Sequence, residues 1–271
     1  MRLYIMGRAN ILLVPGIILL AFSCSEKTAN VINPCLKYSC IQGAIVRGDT
    51  TKRSLTLVFT GDEFADGEVH IRKVLKNQNV KAAFFFTGNF YRNIAFKTTV
   101  EALRNDGHYL GAHSDKHLLY CDWDKRDSLL VTKVEFTKDL NDNYAEIEKF
   151  GISKKDAPFF MPPYEWYNDF ISNWTSEMGL QLINFTSGTR SNADYTTPEM
   201  PNYIDTSTIY KSIIDYETNN PNGLNGFILL IHIGTAPERT DKFYLRLETL
   251  ISTLRAKNYQ FLSLPDLLSM E

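Results

Sequence analysis

The sequence predicts one α/β domain in which about seven short parallel strands close into a barrel or a distorted barrel. Three observations carry that prediction. Short apolar runs alternate with stretches of helical period from about residue 51 to the C-terminus. Most runs are followed by such a stretch before the next begins, which is the pattern of parallel pairing through crossover helices. The chain has 271 residues, 44% apolar and 22% charged, enough for a sizeable core.

The apolar runs, in order, are Leu55–Phe59, Ala82–Phe86, His108–Leu110, Phe159–Phe160, Leu180–Phe185, Phe227–Ile231 and Tyr259–Leu264. The amphipathic stretches between them are Val69–Leu75, Tyr91–Leu103, Leu129–Ile147, Trp166–Met178, Thr206–Tyr216 and Phe243–Leu254. No repeat, low-complexity segment or interdomain linker interrupts this alternation, so residues 51–271 read as a single domain.

The N-terminus reads differently. Arg2 and Arg8 precede an apolar run from Ile11 to Phe22, broken by Pro15-Gly16 and followed by Ser23-Cys24. A basic start and a short apolar run describe an export signal over residues 1–23 rather than a spanning helix. Ala21-Phe22-Ser23-Cys24 resembles a bacterial lipobox, which implies lipidation of Cys24 as the new N-terminus. The protein is therefore expected to be an exported, membrane-anchored bacterial lipoprotein, periplasmic or at the cell surface, touching membrane only through that anchor. Residues 24–50 are polar and turn-rich and read as a tether with an edge segment. In an exported chain Cys35 and Cys40 are able to pair, leaving Cys121 free. A net charge of −2 gives no footprint for nucleic acid.

In parallel α/β folds the chemistry sits at the C-terminal ends of the strands. Here those ends carry Thr60-Gly61-Asp62-Glu63, then Gly111-Ala112-His113-Ser114-Asp115-Lys116-His117, then Met161-Pro162-Pro163-Tyr164, then His232. Two imidazoles four residues apart suit a zinc-like metal, which in a catalytic site takes a third protein ligand and keeps one position open.

His113-Ser114-x-x-His117, the Pro163-Tyr164 turn, Leu230-Ile231-His232 and the segment Val80–Gly88, in this order, resemble the polysaccharide deacetylase family, the NodB-homology domain of carbohydrate esterases. The resemblance spans roughly Leu55 to Leu264. It implies a distorted (β/α) barrel and metal-dependent removal of acetyl groups from N-acetylated glycans or O-acetylated polysaccharide. It also implies a divalent ion, Zn2+ in the first instance, held by Asp62, His113 and His117, which polarises the acetyl carbonyl and activates water. The Tyr164 backbone N–H would then stabilise the oxyanion and His232 would protonate the leaving group.

Two departures stand out. The family ends its first strand in two successive Asp residues, a base and then a ligand, and its fourth strand end supplies an Arg partner for the base. Asp62 lies eighteen residues before Val80, the interval of the ligand, which leaves Gly61 at the base position and Met161 at the Arg position. Loss of both is coherent, because either charge alone would be buried without a partner. Glu63 and Asp66 follow at once, and Asp66, before Gly67, is the expected replacement base, with an N-cap for the next helix as its other reading. Without a working base the chain would instead be a carbohydrate-binding protein with a vestigial metal site.

Trp123, Tyr164 and Trp166, with Tyr120 and Tyr167 nearby, either stack on sugar rings or cap the barrel; Trp166 is expected to face solvent. The long polar loop at residues 186–195 lacks the family's Asp-Trp pairing for the acid His, and the sequence leaves open whether Asp194 takes that place.

Overall fold

Continuous apolar runs along the strands dictate a sheet buried on both faces, and the computed structural model, which describes residues 34–269 together with Met1 and Leu3, shows that arrangement. The leader and Cys24 lie outside the described residues. Among those residues no helix is long and apolar enough to cross a membrane.

In chain order the elements are β1 (Ser39–Ile41), β2 (Ala44–Arg47), β3 (Ser54–Gly61), α1 (Glu68–Asn77), β4 (Ala83–Phe86), α2 (Gly88–Arg92), α3 (Lys97–Asn105), β5 (Tyr109–Ala112) and α4 (Lys133–Glu148). There follow β6 (Phe159–Phe160), α5 (Asp169–Glu177), β7 (Gln181–Leu182), α6 (Thr206–Asn219), β8 (Phe227–His232), α7 (Leu247–Ala256), β9 (Gln260–Phe261) and α8 (Leu264–Leu267). The main sheet is parallel with order β7-β6-β5-β4-β3-β8, and β9 joins the start of β3. This is the expected curled (β/α) barrel in one domain.

Its closure comes from the edge segment that the sequence reading placed with the tether in residues 24–50. β1 and β2 form an antiparallel hairpin, and β2 then runs between the end of β7 and β8. Asn184 N donates to Ile45 O at 2.9 Å, Thr186 Oγ1 to Val46 O at 2.6 Å and Gly48 N to Gly226 O at 2.7 Å. The barrel wall therefore starts at Ala44, before the expected boundary at residue 51. The disulfide Cys35–Cys40 ties β1 of this hairpin to the segment before it, and Cys121 is buried and free.

Inside the curl, Ile45, Val58, Phe85, Met161, Ile183, Ile228 and Leu230 pack together, closed below by Leu264, Leu267 and Leu268. The opposite strand faces send Leu57, Phe59, Phe84, Phe86, Leu229 and Ile231 against the helices. Register brings Gly61 level with Phe86, Ala112 with Phe160, and Thr60 with His232. The chemically interesting strand ends thus open at one mouth.

Candidate active site

The first side of the mouth is the turn leaving β5. Ser114 and His117 both have left-handed backbone (φ 73° and 56°), so the turn needs outside support. α4 supplies it from two polar residues one turn apart on its buried face. Asn143 Oδ1 accepts from His113 N at 2.8 Å. Asp139 accepts from Asp115 N and Lys116 N at 3.2 Å each, and from the Tyr120 hydroxyl at 2.7 Å. His113 Nδ1 lies 2.8 Å from Met161 O, which fixes Nδ1–H as the donor and leaves Nε2 with a free lone pair. Burial, with His117 close by, holds His113 well below its ordinary pKa, so its ring is neutral. Burial also lowers His117, against the opposing charge of Asp62.

Those are the donors expected to hold a metal, and in kind they fit: two imidazoles, one in the correct tautomer, and a carboxylate within electrostatic reach. The triad itself is not assembled. Among the described residues no three His, Cys, Asp or Glu side chains gather into a metal-holding group. The His113 and His117 rings stand 5.2 Å apart at 56°, and Asp62 Oδ1 accepts from Thr87 Oγ1 at 2.6 Å.

The missing base has a physical explanation. A Cβ on Gly61 would lie 2.7 Å from Ile233 Cγ2 and 3.0 Å from Phe86 Cδ1, so this position points into the apolar layer under the helices and has no room for a carboxylate. Met161 is fully buried inside the barrel, and serves the site only through its carbonyl. Asp66 is not placed as the substitute. Its carboxylate accepts from Thr235 N at 2.8 Å and the Tyr244 hydroxyl at 2.8 Å, and pairs with Lys242 at 2.9 Å. Burial raises its pKa but these partners outweigh it, and the net shift is downward. A carboxylate with occupied lone pairs and a lowered pKa is a poor base. It is not the N-cap of α1 either, since Gly67 holds that position. Asp66 ties its loop to the exit of β8.

The second side of the mouth is built around His232. Asp194, almost fully buried, accepts from His232 Nδ1 at 2.6 Å and from His232 N at 3.0 Å. Burial opposes a charge on His232, but Asp194 and then Glu165 outweigh it and raise its pKa. Its field reaches both His113 and His117. Asp194 therefore does stand where a partner for the acid is needed.

The aromatic residues divide. Trp123 and Tyr164 are exposed, with ring centroids 5.6 Å apart, and Tyr164 leads to His117 at 4.4 Å. Trp166, expected to face solvent, is half-buried. Arg126 from a neighbouring loop lies over it at 4.2 Å, and its indole N–H donates to Asp122 O at 3.1 Å. Tyr120 and Tyr167 are buried. Tyr195 stands exposed on the other side, 5.4 Å from the His232 ring.

Sequence reasoning missed Asp139 and Asn143, for which the signal is two polar residues on the otherwise apolar stripe Phe136/Leu140/Tyr144/Ile147. It missed Glu165 as well, which carries no signal beyond its place after Tyr164.

With this geometry in hand, comparison with known proteins is informative. The family model for polysaccharide deacetylase matches residues 47–183. The chain is 24% identical over 196 residues to the Bacillus subtilis protein called "uncharacterized protein YlxY", covering 72% of this chain and 51% of that one. It thus spans about half the length of that curated relative. A CE4 family pseudoenzyme from Bacillus anthracis superposes with TM-score 0.66 at 17% identity, covering 84% of this chain and 70% of that one. A family 4 acetyl xylan esterase from Clostridium thermocellum, solved with a cobalt ion, superposes with TM-score 0.60 at 22% identity, covering 80% and 90%. At these identities the structural likeness establishes the fold.

Proposed function

Because the chain belongs to the polysaccharide deacetylase family, we propose that its mouth hydrolyses acetyl groups from acetylated carbohydrate, as amide or ester. One observation carries the reading: His232, at the end of β8, has its Nδ1 bonded to buried Asp194, which raises its pKa, and its charge reaches His113 and His117. A histidine held protonated beside the reacting carbonyl is suited to give its proton to the departing amine or alkoxide. Asp194 keeps the ring oriented and compensates its charge.

A divalent ion, Zn2+ on the donor chemistry, would be held by His113, His117 and Asp62, and would supply polarisation of the acetyl carbonyl. The cobalt-bound esterase of the same fold supports this part of the reading. Trp123 and Tyr164 offer flat faces for a sugar ring beside His117, with Trp166 backing them. Export and a lipid anchor at Cys24 belong to the same proposal, supported by the N-terminal pattern; Cys24→Ala should move the protein from the membrane to the soluble fraction.

The filled slot at Gly61 favours a second reading, a glycan-binding protein with little or no turnover. That a protein of this fold is a CE4 family pseudoenzyme supports the lack of turnover in this reading. Acetate release from acetylated chito-oligosaccharides and acetylated xylan in the presence of Zn2+, run beside calorimetric glycan binding, separates the two. Release that saturates with substrate supports the hydrolase; binding without release supports the second reading.

A further inference from the structure

Gly61 has no base and Asp66 is tied to other partners, yet the mouth holds another carboxylate. Glu165 follows Tyr164 in the turn after β6, and both have left-handed backbone (φ 52° and 57°) although neither is glycine. Such a conformation persists only where its surroundings over-determine it, and it clusters at functional sites. Glu165 N donates to Pro162 O at 3.1 Å, and the side chain of buried Asn184 donates to Glu165 O at 2.8 Å. The backbone is thereby pinned at both ends of the residue. The side chain is half-buried, and among the described residues no hydrogen bond reaches its carboxylate. Tyr164, directly before it, has its ring 4.4 Å from that of His117, which puts Glu165 at the mouth, and its charge acts on His232.

We propose that Glu165 is the general base of this site, acting from the flank opposite the filled Gly61 position. This inference rests on the hydrolase reading above. Three facts favour Glu165 over the other carboxylates: strained, pinned backbone, a carboxylate with no hydrogen-bond partner among the described residues, and a place directly after Tyr164, whose ring stands against His117. Burial is the main cause that lifts its pKa to about 7, with Asp194 adding and His232 opposing. A base poised near neutral pH combines a useful ionised fraction with real proton affinity.

The chemistry balances. The Glu165 carboxylate takes one proton from water as the water oxygen bonds to the acetyl carbon and the carbonyl π pair moves onto oxygen. That pair then re-forms the carbonyl as the C–N or C–O bond breaks. The leaving nitrogen or oxygen keeps the bonding pair and takes a proton from the His232 imidazolium. Acetic acid and the free amine or hydroxyl depart, and the proton on Glu165 passes to His232, restoring both groups.

The test compares wild type, Glu165→Gln and Glu165→Asp for acetate release from acetylated chito-oligosaccharides with Zn2+, and follows the His232 ring by NMR titration. Glu165→Gln should lower kcat by about 10²- to 10³-fold with little change in KM, and remove the acid limb of the rate profile. Glu165→Asp should recover part of the rate. The His232 pKa should fall in Glu165→Gln, since one of the carboxylates raising it is gone, whereas Asp194 and Arg239, which also act on that ring, are unchanged. Wild type that releases acetate together with Glu165→Gln within about twofold of it overturns the base assignment and leaves the hydrolase reading standing. Glycan binding without release by wild type overturns both. A His232 titration unmoved by Glu165→Gln overturns the assignment irrespective of turnover.

Discussion

The two flanks of the His113/His117 turn are built on opposite principles. On one, Gly61 faces Ile233 and Phe86, and Met161 lies in the barrel interior, so the wall is apolar where a base and its guanidinium partner were expected. On the other, Asp194, His232 and Glu165 crowd three titratable groups into one corner, each shifting or shifted by its neighbours. The first side holds neither member of the charged pair that the family places there, so no buried charge is left without its partner, and the other side gathers the titratable groups. The contrast teaches that a lost motif residue is not a vacancy. Its space has been repacked, so function, if retained, must be drawn from the polar flank.

The largest effect should come from breaking that flank. His232→Ala removes the acid and should lower acetate release by about 10²- to 10⁴-fold at unchanged fold, as read by a thermal scan beside the assay. Next is the support shared by both flanks: Asp139→Ala strands two backbone N–H groups and the Tyr120 hydroxyl, and should cost about 3 kcal/mol in urea unfolding. The apolar flank should reject its former charge. Gly61→Asp forces a side chain against Ile233 and Phe86 and should destabilise by about 2 kcal/mol without any gain in rate; adding Ile233→Ala should return part of that loss.

Smallest, and of opposite sign, is Glu165→Gly. Relief of the left-handed backbone should stabilise the protein by about 1 kcal/mol. This effect carries a pH signature. A carboxyl whose folded pKa lies above its unfolded value binds more protons folded than unfolded, so its ionisation removes stability as pH rises from its ordinary range near 4.5 through about 7. The gain from Glu165→Gly, read as a shift in Tm, should therefore be larger at pH 8 than at pH 4. A gain independent of pH would place the carboxylate in open solvent and undo the contrast between the flanks.

Much of this was legible in the sequence, for stated reasons. Seven apolar runs separated by amphipathic stretches gave the parallel sheet, because each run is long enough to be buried on both faces. β2 was legible only as an edge segment, because it is four residues long and ends in Arg47. That charge is hidden by bonds to the carbonyls of Asn225 and Gly223, at 2.8 Å each, which no local pattern announces. Strand-end reading located His113, His117, Asp62 and His232 at one mouth. It could not foresee that Asp62 would accept a hydrogen bond from Thr87, nor that Asp66 would be claimed by Tyr244 from far along the chain. Trp166 is half-buried rather than solvent-facing because Arg126, from another loop, covers it. In each case the deciding partner is distant in sequence, and the deciding quantity is a backbone angle or a shared hydrogen bond.

The most direct test of the account is acetate release by the purified protein from acetylated chito-oligosaccharides with Zn2+ present. Turnover that saturates with substrate and disappears in His232→Ala is the predicted result. Tight glycan binding with no acetate above the buffer rate, in wild type as in the variant, would contradict it.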